Sequence, residues 1–454
     1  MAPDSGSSFS PAFSADGKHL VFASSSINFV ESAKSGNRID LFDYLGPGKP
    51  LGLLTPPNSE GYATLGESFP VGVANDRVVF LSTSPDLYPG ATNLVQRLYS
   101  QSLYSVYRRL LARDIRGPAY DSLDIQVATL ADNGQYVFYE TAAVVLNGVT
   151  NISRPQIYRM SLDTLGSPEL ASFGPDGFSS DDRILTGMTV NKDGTMLAYV
   201  AQTATNEPVV VVNDLNGRTS LSFSVGSNPN PYDIYEINIS SEGRHLMVRH
   251  TGEFPSVDHG VYWVNLASQE IISITRDLDG NYLGNDTSFA SPILFHNGET
   301  VAFEVESTDL SSRKTVFWSR EKGRFGMDGF MASVPAGYVE PSNSSQPVLS
   351  PDGKKLLFVS TTPHLVEGVA DQMPHLYVRE LASGKTILID PSDLPPLSLN
   401  NFPAEIVFSP DSSRVAISIP RPCSIDQRPV LYVADLSLNT TTAVRPPGLD
   451  HLPR

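Results

Sequence analysis

The sequence predicts an all-β fold, an eight-bladed β-propeller of four-stranded antiparallel blades, and three observations predict it. A short β-like run, a two-residue turn and an alternating apolar run recur eight times along the 454 residues. An aromatic or β-branched third run follows most of these turns. The units repeat at about 50 to 60 residues and leave no segment for a second domain, as expected of blades that each form a small sheet.

The turns fall at Asp16-Gly17, Asn75-Asp76, Asn133-Gly134, Asp193-Gly194, Glu242-Gly243, Asn297-Gly298, Asp352-Gly353 and Asp411-Ser412. Asn, Asp and Gly tolerate the positive φ of tight hairpins, so Asx-Gly between alternating apolar residues is a strong hairpin signal. The third runs are Ile39 to Phe42, Val106-Tyr107-Arg108, Ile157-Tyr158-Arg159, Val209 to Val212, Val261 to Val264, Val316-Phe317-Trp318, Leu376-Tyr377-Val378 and Leu431-Tyr432-Val433. Their composition suits a half-buried strand. Fourth runs are weaker: Leu51 to Thr55, Glu270 to Thr275, Thr386 to Asp390 and Thr440 to Val444.

These runs predict blades over 8–57, 64–116, 120–173, 181–226, 232–277, 287–335, 343–391 and 400–446, with 447–454 as a tail. The alternative is seven blades with one degenerate unit outside the ring. A helical fold is excluded, because sustained 3.6-residue periodicity is almost absent.

Composition narrows the function. The single cysteine, Cys423, excludes an intramolecular disulfide and any Cys-cluster metal site. A formal charge of -17 repels phosphate backbones, so nucleic acid is not an expected partner. No apolar run has the roughly 18 to 20 residues needed to cross a bilayer, so membrane insertion is not expected. Met1-Ala2-Pro3-Asp4 lacks the basic start and apolar core of a secretory leader.

Ser350 to Ser360 reads SPDGKKLLFVS; Ser14 to Phe22 and Phe408 to Asp411 carry the same pattern. With them the chain resembles the TolB-type propeller repeat, strongly in units 1, 7 and 8 and weakly in units 2 and 5. The resemblance implies the fold and a periplasmic or extracellular location, with the cytoplasm as the alternative. It carries no catalytic residue. A polar-Leu loop also repeats at Thr83 to Gly90, Ser307 to Leu310 and Thr361 to Gly368.

Propeller sites sit among the loops that join second to third strands. These loops are longest in units 1, 2, 3 and 7, and units 7, 8, 1, 2 and 3 become neighbours when the ring closes. The expected site is a crescent on that side. Within it the unit 2 loop holds Tyr88, Arg97, Tyr99 and Tyr104 in an otherwise acidic chain, and Tyr and Arg dominate interface contacts. Tyr107, Arg108 and Arg109 read instead as a third-strand aromatic and a solvated sheet edge. His364 and Arg421 complete the candidate ligand-binding set.

Asp277, Asp279 and Asn281 alternate like the start of a calcium loop, although Ser288 stands where the bidentate Glu is required. Calcium is the one cofactor this pattern suggests. The eight histidines show no metal-ligand spacing, and nucleophile-elbow and phosphate-loop motifs are absent. His19 and His245 share one repeat position and so read as framework.

Two functional readings follow. The first is a non-catalytic binding scaffold whose loop face holds a protein segment or a glycan, as a monomer or as a module of a larger protein. The second is a carbohydrate-active enzyme, a polysaccharide lyase or hydrolase, drawing on Tyr88, Arg97, His364 and Arg421 from different blades.

Overall fold

The computed structural model describes residues 7–26, 29, 38–55, 66–74, 76–84, 87, 95–105, 107–112, 125–141, 145–146, 149–150, 155–164, 166–174, 183–203, 208–224, 234–251, 260–275, 286–307, 313–341, 343–391, 397, 405–420 and 429–444. These form eight four-stranded antiparallel sheets, the blades of an eight-bladed β-propeller, and each sheet is built from one continuous stretch of chain. Blades 1 to 8 span 8–53, 68–110, 125–170, 183–223, 234–273, 286–325, 344–388 and 405–443. Blade 3 also carries a two-stranded hairpin, Val145–Leu146 with Val149–Thr150. The segment predicted to close blade 8 does so, with Thr440–Ala443 pairing along Pro429–Asp435.

Contacts divide the chain into two compact units, 1–169 with 391–454 and 170–390. In the first, blade 1 packs on blade 8 on one side and on blade 2 on the other. Leu20, Phe22 and Phe42 face Ala416, Leu431 and Val433, whereas Val21, Ala23 and Leu41 face Val78, Phe80 and Tyr99. Alternate residues of one strand thus enter two different cores. The second unit repeats the arrangement between blades 4 and 5, 5 and 6, and 6 and 7.

This arrangement corrects the expectation of half-buried third strands. Asp40–Tyr44 and Leu20–Ser24 are buried at every position, because a neighbouring blade covers each sheet face. Across the second and third strands the large side chains pair directly. Phe22 lies opposite Phe42, Phe80 opposite Tyr99, Tyr139 opposite Tyr158 and Phe358 opposite Tyr377. Each pair is stacked, with centroids 5.8, 5.4, 6.0 and 5.7 Å apart. Such pairs add about 0.5–1.5 kcal/mol beyond area burial.

The turns also differ from a two-residue hairpin in every blade but the second. In blade 1 the ladder closes at Ser14 and His19, Gly17 N–H donates to Ser14 O at 2.8 Å, and only Gly17 takes a positive φ, at 67°. This is a four-residue loop built on a type I turn. Asp16 therefore contributes by hydrogen bonding rather than by its backbone angle. Ser14 Oγ donates to Asp16 Oδ1 at 2.7 Å and accepts His19 N–H at 3.0 Å. Ser350 with Asp352 and Ser409 with Asp411 repeat the pattern. In blade 2, Ala74 pairs with Arg77, which leaves two residues for the turn.

Candidate functional site

Each blade carries its first-to-second and third-to-fourth turns at one end. The second-to-third loop and the link to the next blade lie at the other. At that loop end one side-chain device recurs. The serine that closes the second strand accepts the N–H two residues on: Ser24 from Ser26, Ser82 from Ser84 and Ser360 from Thr362, each at 3.1 Å. Three residues later a large apolar side chain turns back into the core, as Phe29, Leu87 and Leu365. The polar-Leu loop of the sequence is thus a plug over the blade core. Phe29 is its aromatic form.

Beyond the plug, the blade 7 loop over 361–374 is described throughout. His364 lies exposed at φ 63°, and its N–H donates to Val369 O at 2.7 Å. The far end of the loop is held by His375, the first residue of His375–Glu380. His375 Nδ1 lies 2.5 Å from Asp390 Oδ2, and Nε2 lies 2.8 Å from Asp371 Oδ1. Asp390 Oδ1 also accepts the Leu376 N–H at 2.6 Å, and Asp371 Oδ1 that of Met373 at 3.1 Å.

Burial opposes charge on His375, but the hydrogen bonds from Asp390 and Asp371 outweigh it and raise its pKa. The bond from His375, with the Met373 N–H, lowers that of exposed Asp371. Burial raises that of Asp390 against the pull of Leu376 N–H and His375. The two carboxylates thus favour the protonated imidazole, which can donate from both nitrogens.

This cluster is a charged version of a framework contact. Two residues past the fourth strand, Thr55 accepts the Leu41 N–H at 3.0 Å and Thr275 accepts the Val261 N–H at 3.2 Å. Asp390 holds the same place. In blade 1 the contact is elaborated as well: Arg38 Nε donates to buried Asp40 Oδ1 at 2.6 Å, and Thr55 Oγ1 donates to the same oxygen at 2.8 Å. The candidate ligand-binding set omits Asp371 and Asp390, whereas His375 is, with His250 and His259, one of the further histidines that the sequence leaves as possible site groups. The available signal was the Asp that ends the fourth run of unit 7 where units 1 and 5 end in Thr.

The remaining candidates scatter. Arg97 and Tyr99 are not in a loop: Arg97–Ser102 is the third strand of blade 2, in register with Ser82 and Phe80. Both side chains are buried, and Arg97 Nη1 donates to Val95 O at 3.1 Å. The predicted third run fails there because its Tyr107 is 75% exposed in the turn before the short fourth strand, Arg108–Leu110. Tyr104 belongs to the same turn, at the end of the blade away from the loops. Tyr88, Arg421, Asp277, Asp279 and Asn281 lie outside the described residues. Among the described residues no group of three or more His, Cys, Asp or Glu is placed to hold a metal, and no helix is long and apolar enough to cross a membrane.

No family model matches the chain, and no curated protein matches it. Solved structures do. Dipeptidyl peptidase 4 of Porphyromonas gingivalis aligns with 96% of this chain and 59% of its own, at 11% identity and a TM-score of 0.53. An oligogalacturonate lyase from Vibrio parahaemolyticus aligns over 80% of this chain and 86% of its own, at 12% and 0.47. TolB from Acinetobacter baumannii aligns over 84% and 80%, at 14% and 0.36. At 11% identity the likeness to the peptidase is one of fold alone.

Proposed function

We propose that the chain is a non-catalytic binding scaffold of the TolB-like propeller type that holds a protein segment or a glycan against the blade 7 loop. The observation that carries this reading is the fixing of 361–374 from both ends, by the Leu365 plug and by the Asp371–His375–Asp390 cluster. A loop ordered beforehand does not spend binding energy on ordering itself. It presents His364, Glu367, Gln372 and Met373 to solvent. With each ring nitrogen engaged by a carboxylate, His375 is suited to holding the loop rather than to taking a substrate proton. The Pro-Asp-Gly repeat favours a periplasmic or extracellular setting, and a monomer or a module of a larger protein suits a site within one blade.

Screening the full chain against glycan arrays and peptide libraries tests the reading. A His364→Ala, Met373→Ala double variant is expected to lose at least about tenfold in affinity for the ligand found, with an unchanged melting temperature. Product release from acidic or neutral polysaccharides would instead favour the carbohydrate-active enzyme.

A further inference from the structure

At the turn end, far along the blade from the loops, blades 1 and 2 bring together an acid, an imidazole and a phenol. His19 follows the Asp16-Gly17 turn and is buried, as is Asp43 on the third strand of blade 1. His19 Nδ1 lies 2.8 Å from Asp43 Oδ2, and His19 Nε2 lies 3.1 Å from the hydroxyl of Tyr104. The two rings meet edge-on with centroids 5.4 Å apart. A carboxylate accepts only, so it fixes the Nδ1–H tautomer and leaves Nε2 as the acceptor for the Tyr104 proton. Tyr104 itself is 73% exposed.

We propose that Tyr104 is a His19-activated nucleophile and the preferred acylation site of this protein, with activated carboxylic esters as the substrate class. In the step, Tyr104 Oη bonds to the acyl carbon while its proton passes to His19 Nε2. The bond from that carbon to the leaving oxygen breaks, and the leaving oxygen takes the proton from His19. The products are acyl-Tyr104 and a free alcohol.

Asp43 acts as a positioning residue. Its Oδ1 is buried with no hydrogen-bond partner among the described residues, and burial raises its pKa against the contact from His19. Its contact with Nδ1 holds the imidazole ring with Nε2 turned to the phenol, the place of the acid in an Asp-His-hydroxyl relay.

Tyr107 is the internal control. It lies three residues on in the same turn, is 75% exposed, and is bonded to no described histidine. The full chain is treated with p-nitrophenyl acetate, and acetyl groups are mapped by peptide mass spectrometry over time. Tyr104 is expected to be acetylated about 100-fold faster than Tyr107, the lower range of general-base assistance. In His19→Gln the two rates converge, and in Asp43→Asn the pH midpoint of Tyr104 acetylation falls. Equal rates at Tyr104 and Tyr107 in the unmodified protein overturn the proposal, whatever the variants do. So does a Tyr104 rate unchanged in a folded His19→Gln.

Discussion

Glu304 Oε1 accepts the backbone N–H of Gln346 at 2.5 Å, across the boundary from blade 6 to blade 7. Gln346 stands at φ 52°, in the bulge between Ser345 and Val348. A left-handed conformation costs a residue with a Cβ roughly 1–2 kcal/mol, and a hydrogen bond to a charged acceptor returns about 1.5–3 kcal/mol. Blade 1 repeats the arrangement, with Ser10 at φ 51° and its N–H held by Glu405. Glu304→Gln is expected to destabilise the protein by about 1–3 kcal/mol in urea denaturation. Adding Gln346→Gly should recover part of the loss, and no recovery would show that the bulge is unstrained.

The Asp371–His375–Asp390 cluster predicts a pH dependence of defined sign. The His375 pKa is raised above its ordinary 6.5. Its stabilisation is therefore complete below pH 6.5 and disappears as pH rises through the higher folded value. Melting temperature should fall across that window in the unaltered protein, and the fall should be smaller in His375→Gln. Equal profiles would mean that the imidazole is neutral in the folded state.

Leu365 is a plug with little else to do. Leu365→Ala should cost about 2–5 kcal/mol, since the side chain leaves a cavity against Phe358 and Tyr377. The same variant should speed amide hydrogen exchange in 361–370 more than in the strands of blade 7. Uniform acceleration would argue for global loss of stability alone.

Gly298 stands at φ 71°, and a Cβ there would come within 2.9 Å of the His245 Cβ. His245 stacks on Trp263 at 5.0 Å, and Trp263 Nε1–H donates to Gly298 O at 2.6 Å. Gly298→Ala should therefore destabilise by about 1–3 kcal/mol. It should also alter the intrinsic fluorescence, because the two tryptophans, Trp263 and Trp318, lie 5.6 Å apart in this core. An unchanged spectrum would place the strain elsewhere.

The blades were legible because their signal is local. Asx-Gly turns and flanking apolar runs lie within about a dozen residues, and each sheet uses one stretch of chain. Blade 2 shows where that fails. The sequence reading puts the third run at Val106-Tyr107-Arg108 and leaves Arg97 and Tyr99 in the loop before it, and only the register of Phe80 with Tyr99 shows the strand at Arg97–Ser102. The site was less legible because its groups are distant in sequence. Asp390 reaches His375 across 15 residues, and Tyr104 reaches His19 across 85. Composition marked Tyr104 as unusual, but only the meeting of blades 1 and 2 gives its hydroxyl a partner.

The contact of blades 8 and 1 has a consequence for how the chain can be cut and rejoined. Ser418 Oγ donates to Ser8 O at 3.0 Å, and Glu405 holds Ser10, yet among the described residues no strand of blade 8 enters the sheet of blade 1 and none of blade 1 enters that of blade 8. Circular permutation at an inter-blade link therefore leaves every sheet continuous. The original junction becomes an ordinary tethered neighbour contact, one of several interchangeable seams rather than a unique clasp.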